Sequence, residues 1–182
     1  MTTANKITIV RVAFIPLFMV AMLAGIPYSN WISLGIFILA SLTDWVDGYI
    51  ARKYDQVTSF GKFMDPLADK LLVTSAILIF VQWGRIPAWA AMIVITREFA
   101  VTGLRLVAAA DGEVIAAGMS GKIKTFVSMA GLCVMLTPFH DLELIAGRFN
   151  LDNLIVLLIL IPTVWSGVEY FVKNYKVILN SK

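Results

Sequence analysis

Six apolar blocks divide the chain, at about 7–24, 31–52, 66–83, 88–109, 122–138 and 151–172, and each is close to the ~20 residues a helix needs to cross the ~30 Å of bilayer hydrocarbon. Little sequence is left for an aqueous domain. Of the 182 residues, 59% are hydrophobic and 15% charged, against roughly 25% charged in an ordinary soluble domain. That balance excludes a soluble enzyme, a nucleic-acid-binding module and a disordered tail. Runs such as 32–40 and 154–161 are almost continuously apolar, whereas strands of a membrane barrel would alternate. The sequence therefore predicts an all-α integral membrane protein, a single domain over 1–182 built as a six-transmembrane-helix bundle.

The charges indicate which side faces the cell interior. Lys6, Arg11, Arg52, Lys53, Lys62, Arg105, Lys122, Lys124, Lys173, Lys176 and Lys182 fall on one side of the predicted bundle, and only Arg85 and Arg148 on the other. The positive-inside rule makes the first side cytoplasmic, with both termini inside and the protein multi-pass in the cell membrane. The formal net charge of +3 is thus a topology signal rather than a polyanion-binding surface. The first block is read as a retained span, because a single Lys6 precedes it and no small-residue cleavage site follows. Trp31, Trp83, Trp89, Trp165, Tyr28 and Tyr170 lie near span ends and are expected to anchor at the headgroup zone. Cys133 stands alone in an apolar block, so neither an intramolecular disulfide nor a thiolate metal cluster can form. His140 reads as a solvated loop residue, and Pro16 and Pro162 as local adjustments of their spans.

The informative segment runs from Asp44 to Asp69. It reads Asp44-Trp45-Val46-Asp47-Gly48-Tyr49-Ile50-Ala51-Arg52, then, after eight residues, Gly61-Lys62-Phe63-Met64-Asp65-Pro66-Leu67-Ala68-Asp69. In a helix Asp44 and Asp47 differ by about 60° and Asp65 and Asp69 by about 40°, so each pair shares a face. A helical hairpin aims both pairs at one point, on the cytoplasmic side. Each aspartate in a span costs about 2.5–3.5 kcal/mol, and four of them require compensation. Arg52, Lys53, Lys62 and Lys70 offer a purely structural ion cluster, but hard divalent cations answer an all-oxygen donor set better. Two such ions serve phosphoryl chemistry well. Gly48 and Gly61 permit close approach of a backbone or ligand, or else mark a helix-packing contact. Pro66 reads as the first turn of the third span.

These residues follow the pattern D-x2-D-G-x2-A-R-x8-G-x3-D-x3-D, matched at all eight defined positions. The pattern resembles the signature of the CDP-alcohol phosphatidyltransferases. The resemblance implies six transmembrane helices, a homodimer, and transfer of a phosphatidyl group from CDP-diacylglycerol to an alcohol with release of CMP. It further implies that Asp44, Asp47, Asp65 and Asp69 hold two divalent cations, Mg²⁺ or Mn²⁺. Asp69 would also be the general base, and Gly48, Ala51, Arg52 and Gly61 would border the cytidine diphosphate.

A second polar set bears on the alcohol. Arg97 and Glu98 lie deep in the fourth block, Arg105 follows eight residues later, and Lys122 and Lys124 open the fifth. An ionisable residue inside a span is a functional candidate, and with Arg11 these cations suit an acceptor that carries phosphate. An Arg97–Glu98 structural pair and simple topology charges remain alternatives. The stretches Asn5 to Pro16, Thr96-Arg97-Glu98 through Leu104-Arg105, and Gly121-Lys122-Ile123-Lys124-Thr125 resemble the family branch whose acceptor is sn-glycerol 3-phosphate. Lys6-Ile7 departs from that branch's Ile-Pro. The product would be phosphatidylglycerophosphate. Inositol phosphate, serine or a second lipid as acceptor, and an ion-coupled transporter subunit, are the competing readings.

Overall fold

The computed structural model describes residues 3–53, 59–110, 115, 118–141, 143–145 and 149–175, with side chains described at these positions except 3–8, 44–53, 59–66, 69, 110, 140–141, 143–145 and 149. The described residues form six α-helices: α1 Thr3–Leu23, α2 Ser29–Lys53, α3 Ser59–Gln82, α4 Ala88–Ala110, α5 Met119–Leu136 and α6 Leu151–Lys173. They occupy the six apolar blocks. The largest shift is at α3, which begins at Ser59, so Pro66 is not a first-turn residue but sits well inside the helix. Its ring nitrogen cannot donate to the Lys62 carbonyl, a loss that helices in apolar surroundings tolerate when local groups re-satisfy the backbone. A 3₁₀ turn, Pro138–Asp141, and a small antiparallel hairpin, β1 Glu143–Ile145 with β2 Phe149–Asn150, occupy the α5–α6 connection. Among the described residues the regular structure is thus helical apart from this ladder, which pairs backbone groups that a plain loop would leave to solvent.

The chain divides into two compact units, Met1–Gln82 with Cys133–His140, and Trp83–Leu132 with Asp141–Lys182. In the first, α1 packs against α2 and α3, and α2 against α3. Each helix buries one stripe at helical spacing: Arg11, Ile15 and Phe18 on α1, Ser33, Phe37 and Ala40 on α2, and Ala68, Leu72, Ala76 and Phe80 on α3. Phe18 and Phe37 meet with ring centroids 5.7 Å apart. The α1–α2 reversal uses two left-handed residues, Gly25 (φ 60°) and Tyr28 (φ 65°). Ser29 Oγ closes it by donating to the Ala21 carbonyl at 2.6 Å.

In the second unit α4 and α6 run parallel. Arg85, just ahead of α4, bonds Asp152; Arg97 bonds Ser166; Arg105 bonds Tyr170, at separations of 67, 69 and 65 residues. A near-constant separation is the mark of parallel alignment. Helix α5 runs the opposite way, since Lys124 near its start meets Glu98 and Gly131 further on meets Ile155 and Ile159 near the start of α6. Arg85 and Asp152 make a two-pronged pair at 2.7 and 2.9 Å, the fork geometry that suits guanidinium and carboxylate.

Helix α6 gathers its small and polar residues on its buried face, between Ile159 and Tyr170, and is apolar on its outer one. Thr163, Ser166 and Gly167 are buried, whereas Ile161, Val164, Trp165, Val168 and Val172 are exposed. A water-facing helix would show the reverse, because large contiguous apolar patches are rare on soluble monomers. Two helices, Met119–Leu136 and Leu151–Lys173, are long and apolar enough to cross a membrane, with shorter apolar stretches at Ile9–Leu23, Ser29–Thr43 and Lys70–Gln82 among the described residues. Trp31, Trp83 and Trp89 are exposed at helix ends, as expected of interface anchors. Two aromatic anchors are corrected: Trp165 is exposed but lies about two turns inside α6, and Tyr170 is buried at 8% exposure.

Gly131 sets the α5–α6 approach. A Cβ there would lie 2.9 Å from Ile155 Cγ2 and 3.1 Å from Ile159 Cδ1, closer than packed side chains allow. Gly131→Leu is therefore expected to destabilise the folded protein by about 1–3 kcal/mol, read as a lowered unfolding midpoint in detergent, and Ile155→Ala on that background should recover part of the loss. An unchanged midpoint would contradict this contact.

Candidate active site

The four aspartates occupy the two helix ends joined by residues 54–58. Asp44 and Asp47 lie towards the C-terminus of α2, and Asp65 and Asp69 in the first half of α3. These helices are packing neighbours. The register of the α2 stripe, Ser33–Phe37–Ala40, continues at the same 3- and 4-residue spacing through positions 44, 47 and 51. On α3 the register of Leu72 and Ala76 runs back through positions 69 and 65. By backbone register, both pairs thus extend the stripes along which the helices pack. The side chains of Asp44, Asp47, Asp65 and Asp69, with those of Gly48, Ala51, Arg52 and Gly61, lie outside the described residues. Among the described residues, no group of three or more His, Cys, Asp or Glu assembles.

Arg11 lies on the buried stripe of α1 at 1% exposure. A guanidinium held there displaces apolar packing, a cost that ordinary topology charges at a span end do not incur.

The second unit carries its own charged core. Glu98 on α4 accepts from Arg97 Nη1 at 3.2 Å and from Lys124 Nζ of α5. The three side chains are 17%, 12% and 3% exposed respectively, so one largely buried carboxylate serves two cations held between helices. The structural pairing of Arg97 with Glu98, one of the two sequence readings, is present, with Lys124 added to it. Arg97 Nη2 donates to Ser166 Oγ at 3.0 Å, and that hydroxyl donates to the Thr163 carbonyl at 3.2 Å. Its stem crosses Gly167, where a Cβ would come within 3.2 Å of Arg97 Cγ, and its tip passes Gly121. Two glycines therefore leave room for one arginine to run between helices.

Arg105 is half-buried and held differently. Its Nε donates to the Tyr170 hydroxyl at 3.3 Å, and its guanidinium carbon lies 5.5 Å from the centroid of the same ring. Lys122 and Lys124 part company: two residues apart on α5, about 200° around the helix, Lys122 is exposed and Lys124 is buried. The structure brings Arg97 and Lys124 together on Glu98 and leaves Lys122 outside that group.

A groove of about 730 Å³ runs between α4 and α6 past Trp89, Ile93, Leu160, Val164 and Trp165. A second space of about 410 Å³ shares Ile93, Val164 and Val168 with it and reaches Arg97. Its walls are almost wholly apolar, unlike a phosphate site. The side chains missed in the sequence are Tyr170, Ser166 and Gly167. Their signal was periodicity, because Ile159, Thr163, Ser166 and Tyr170 recur at 4, 3 and 4 residues, the spacing of a buried stripe.

The model of the CDP-alcohol phosphatidyltransferase family matches residues 1–165. The chain is 48% identical to the CDP-diacylglycerol–glycerol-3-phosphate 3-phosphatidyltransferase of Bacillus subtilis, with 97% of each chain covered. It is 39% identical to the protein of the same name in Haemophilus influenzae, over 90% of this chain and 88% of that one. A probable phosphatidylglycerophosphate synthase of Mycobacterium tuberculosis is 34% identical over 92% of this chain and 78% of its own length. A match that spans the α2–α3 pair with its four aspartates and the basic helices α4 and α5, joined to 48% identity along nearly the whole chain, shows that the chain belongs to the CDP-alcohol phosphatidyltransferase family.

Proposed function

We propose that the protein transfers a phosphatidyl group from CDP-diacylglycerol to sn-glycerol 3-phosphate, giving phosphatidylglycerophosphate and CMP in phospholipid biosynthesis. The observation that carries this reading is the complete eight-residue aspartate signature on adjacent helices, in a chain 48% identical along nearly its whole length to a relative named for that reaction. The protein works as a six-span membrane enzyme, a homodimer, with its site and both termini at the cytoplasmic face. Supporting this are the apolar outer face of α6, the alternating directions of α4, α5 and α6, and the bias of basic residues to one side. A site at the boundary suits a donor whose nucleotide is polar and whose acyl chains are not.

The chemistry follows from the residues. The 1-hydroxyl of glycerol 3-phosphate attacks the phosphatidyl phosphorus, an oxygen–phosphorus bond forms, and the bond to the CMP oxygen breaks. Asp69 accepts the hydroxyl proton, the part a positioned carboxylate plays as general base. Gly48, Ala51, Arg52 and Gly61 border the cytidine diphosphate, the glycines giving the nucleotide room and Arg52 opposing its charge. Asp44, Asp47, Asp65 and Asp69 fit a pair of divalent cations, Mg²⁺ or Mn²⁺. Their donors are all oxygen, and their register runs along packed stripes. Such ions, when bound, screen the pyrophosphate and stabilise the leaving nucleotide. Arg11, Arg97, Arg105, Lys122 and Lys124 supply positive charge for the acceptor phosphate. Of these, Arg105 has both terminal nitrogens without a partner among the described residues. Arg97 and Lys124 share Glu98.

Three measurements test the reading. CMP release by the purified protein is expected with glycerol 3-phosphate and Mg²⁺ and lost on chelation; turnover with serine or inositol phosphate but none with glycerol 3-phosphate would reject the acceptor. Asp69→Asn is expected to lower turnover by about 10²–10⁴-fold with an unchanged unfolding midpoint, and substantial retained activity would remove Asp69 as the base. Arg105→Ala is expected to raise the KM for glycerol 3-phosphate about tenfold or more, the effect of losing a charged hydrogen-bonding group, with the KM for CDP-diacylglycerol little changed. The opposite split would contradict its role.

A further inference from the structure

We infer that Tyr170 is a positioning residue for the acceptor substrate: it holds the Arg105 guanidinium by ring and hydroxyl together, so that the two terminal nitrogens of Arg105 are presented as a fixed fork for a phosphate group. The inference rests on the proposed role of Arg105 as an acceptor-phosphate cation. It goes further in assigning a function to an uncharged residue on a different helix.

Three observations converge. The first is double engagement: the Arg105 guanidinium carbon lies 5.5 Å from the Tyr170 ring centroid, and Arg105 Nε donates to the Tyr170 hydroxyl at 3.3 Å. A contact to the ring orients the plane of the guanidinium, while the bond to Nε fixes its rotation within that plane. With Nε engaged, the donors without a partner among the described residues are those on Nη1 and Nη2, and this end-on pair can meet two phosphate oxygens at once.

Second, the ring itself is held. Tyr170 is 8% exposed and packs with Val101 and Leu104 of α4, with Ile115 and Phe171 against the same cluster. Phe171 meets it edge-on, at 6.3 Å between centroids and 86° between planes. Val101 and Leu104 belong to the same turns of α4 that carry Arg105. The support and the supported side chain are therefore part of one packed cluster.

Third, the backbone beneath the ring is closed off. The Tyr170 carbonyl accepts from the Asn174 backbone N–H at 3.1 Å and from Asn174 Nδ2 at 2.7 Å. These bonds end α6 just beyond the tyrosine, so the residue does not sit on a fraying turn. Burying a tyrosine usually requires a partner for its hydroxyl. Here an arginine supplies the donor, whereas a backbone carbonyl or a serine would satisfy the hydroxyl without orienting a cation.

The test compares Tyr170→Phe, Arg105→Ala and the double variant in the full-length purified enzyme, by steady-state CMP release with each substrate varied in turn. Tyr170→Phe keeps the ring and deletes the hydroxyl. It is expected to raise the KM for glycerol 3-phosphate about threefold to tenfold, the range for loss of one ordinary hydrogen bond, and to leave the KM for CDP-diacylglycerol within about twofold. On the Arg105→Ala background the same substitution is expected to have less than about a twofold effect, because the group it positions is gone. An equal effect of Tyr170→Phe with and without Arg105 would reduce Tyr170 to a packing residue and overturn the inference. So would an unchanged acceptor KM in Tyr170→Phe while Arg105→Ala raises it, an outcome that leaves the role of Arg105 intact. An unchanged acceptor KM in Arg105→Ala would instead remove Arg105 from the acceptor site, and the inference with it. Tyr170→Leu, which deletes the ring as well, should show a larger acceptor defect than Tyr170→Phe. An unfolding midpoint recorded for each variant separates loss of fold from loss of orientation.

Discussion

Burying charge in an apolar chain is the constraint on which the arrangement depends. An ionisable side chain within a span costs about 2.5–3.5 kcal/mol on insertion scales, and water is not at hand to repay it. Each buried charge must then find its partner on a neighbouring helix, and helices that share such a group are fixed in register. Glu98 shows the logic: its carboxylate takes Arg97 from its own helix and Lys124 from α5. Removing Glu98 would take the shared carboxylate from two largely buried cations at once, which is worse than never having had the group. Between α4 and α6 the arginines at 85, 97 and 105 set axial position through a carboxylate, a hydroxyl and a phenol. Apolar surface alone cannot do this, because lipid tails compete equally well for it and close packing of small residues has to help. Gly131 and Gly167 provide that help, one against Ile155 and the other beneath the stem of Arg97.

Much of the helical plan was legible because length and apolarity decide it. Helices α1, α2, α4, α5 and α6 begin and end within about four residues of the expected limits. The α3 boundary differs for a definite reason: Pro66 reads as a start signal, since proline is harmless in a first turn. Yet the preceding segment carries no strong breaker of its own, and in an apolar chain an interior proline is tolerable. The short β1–β2 hairpin gave no usable pattern, as its strands hold three and two residues.

The site divides in the same way. Spacing and chemistry together singled out the aspartates, because four acids in or beside spans have few explanations. The basic set was read by charge alone, and charge does not say which way a helix turns its side chain. Lys122 and Lys124 look equivalent in composition, whereas a 200° separation on α5 makes one exposed and the other buried. Tyr170 was misjudged by the converse error. Its type suggested an interface anchor, but its place on the Ile159–Thr163–Ser166 stripe makes it part of the interior.

The charge balance of the second unit connects this packing with the proposed chemistry. Arg97 and Lys124 are held through a carboxylate, Glu98, whereas Arg105 is held by a support that is neutral. Had a carboxylate held Arg105, the orientation would have been equally secure but the attraction for an anion would have been cancelled. A phenol separates the two demands. It fixes a guanidinium without neutralising it, and leaves that charge for the proposed acceptor, a phosphate monoester of about −1.5 to −2 at neutral pH. In a low-dielectric setting a guanidinium held by a neutral group attracts an anion more strongly than it would in water. The neutral support therefore leaves Arg105, rather than the cations on Glu98, as the group whose charge the proposed acceptor can use.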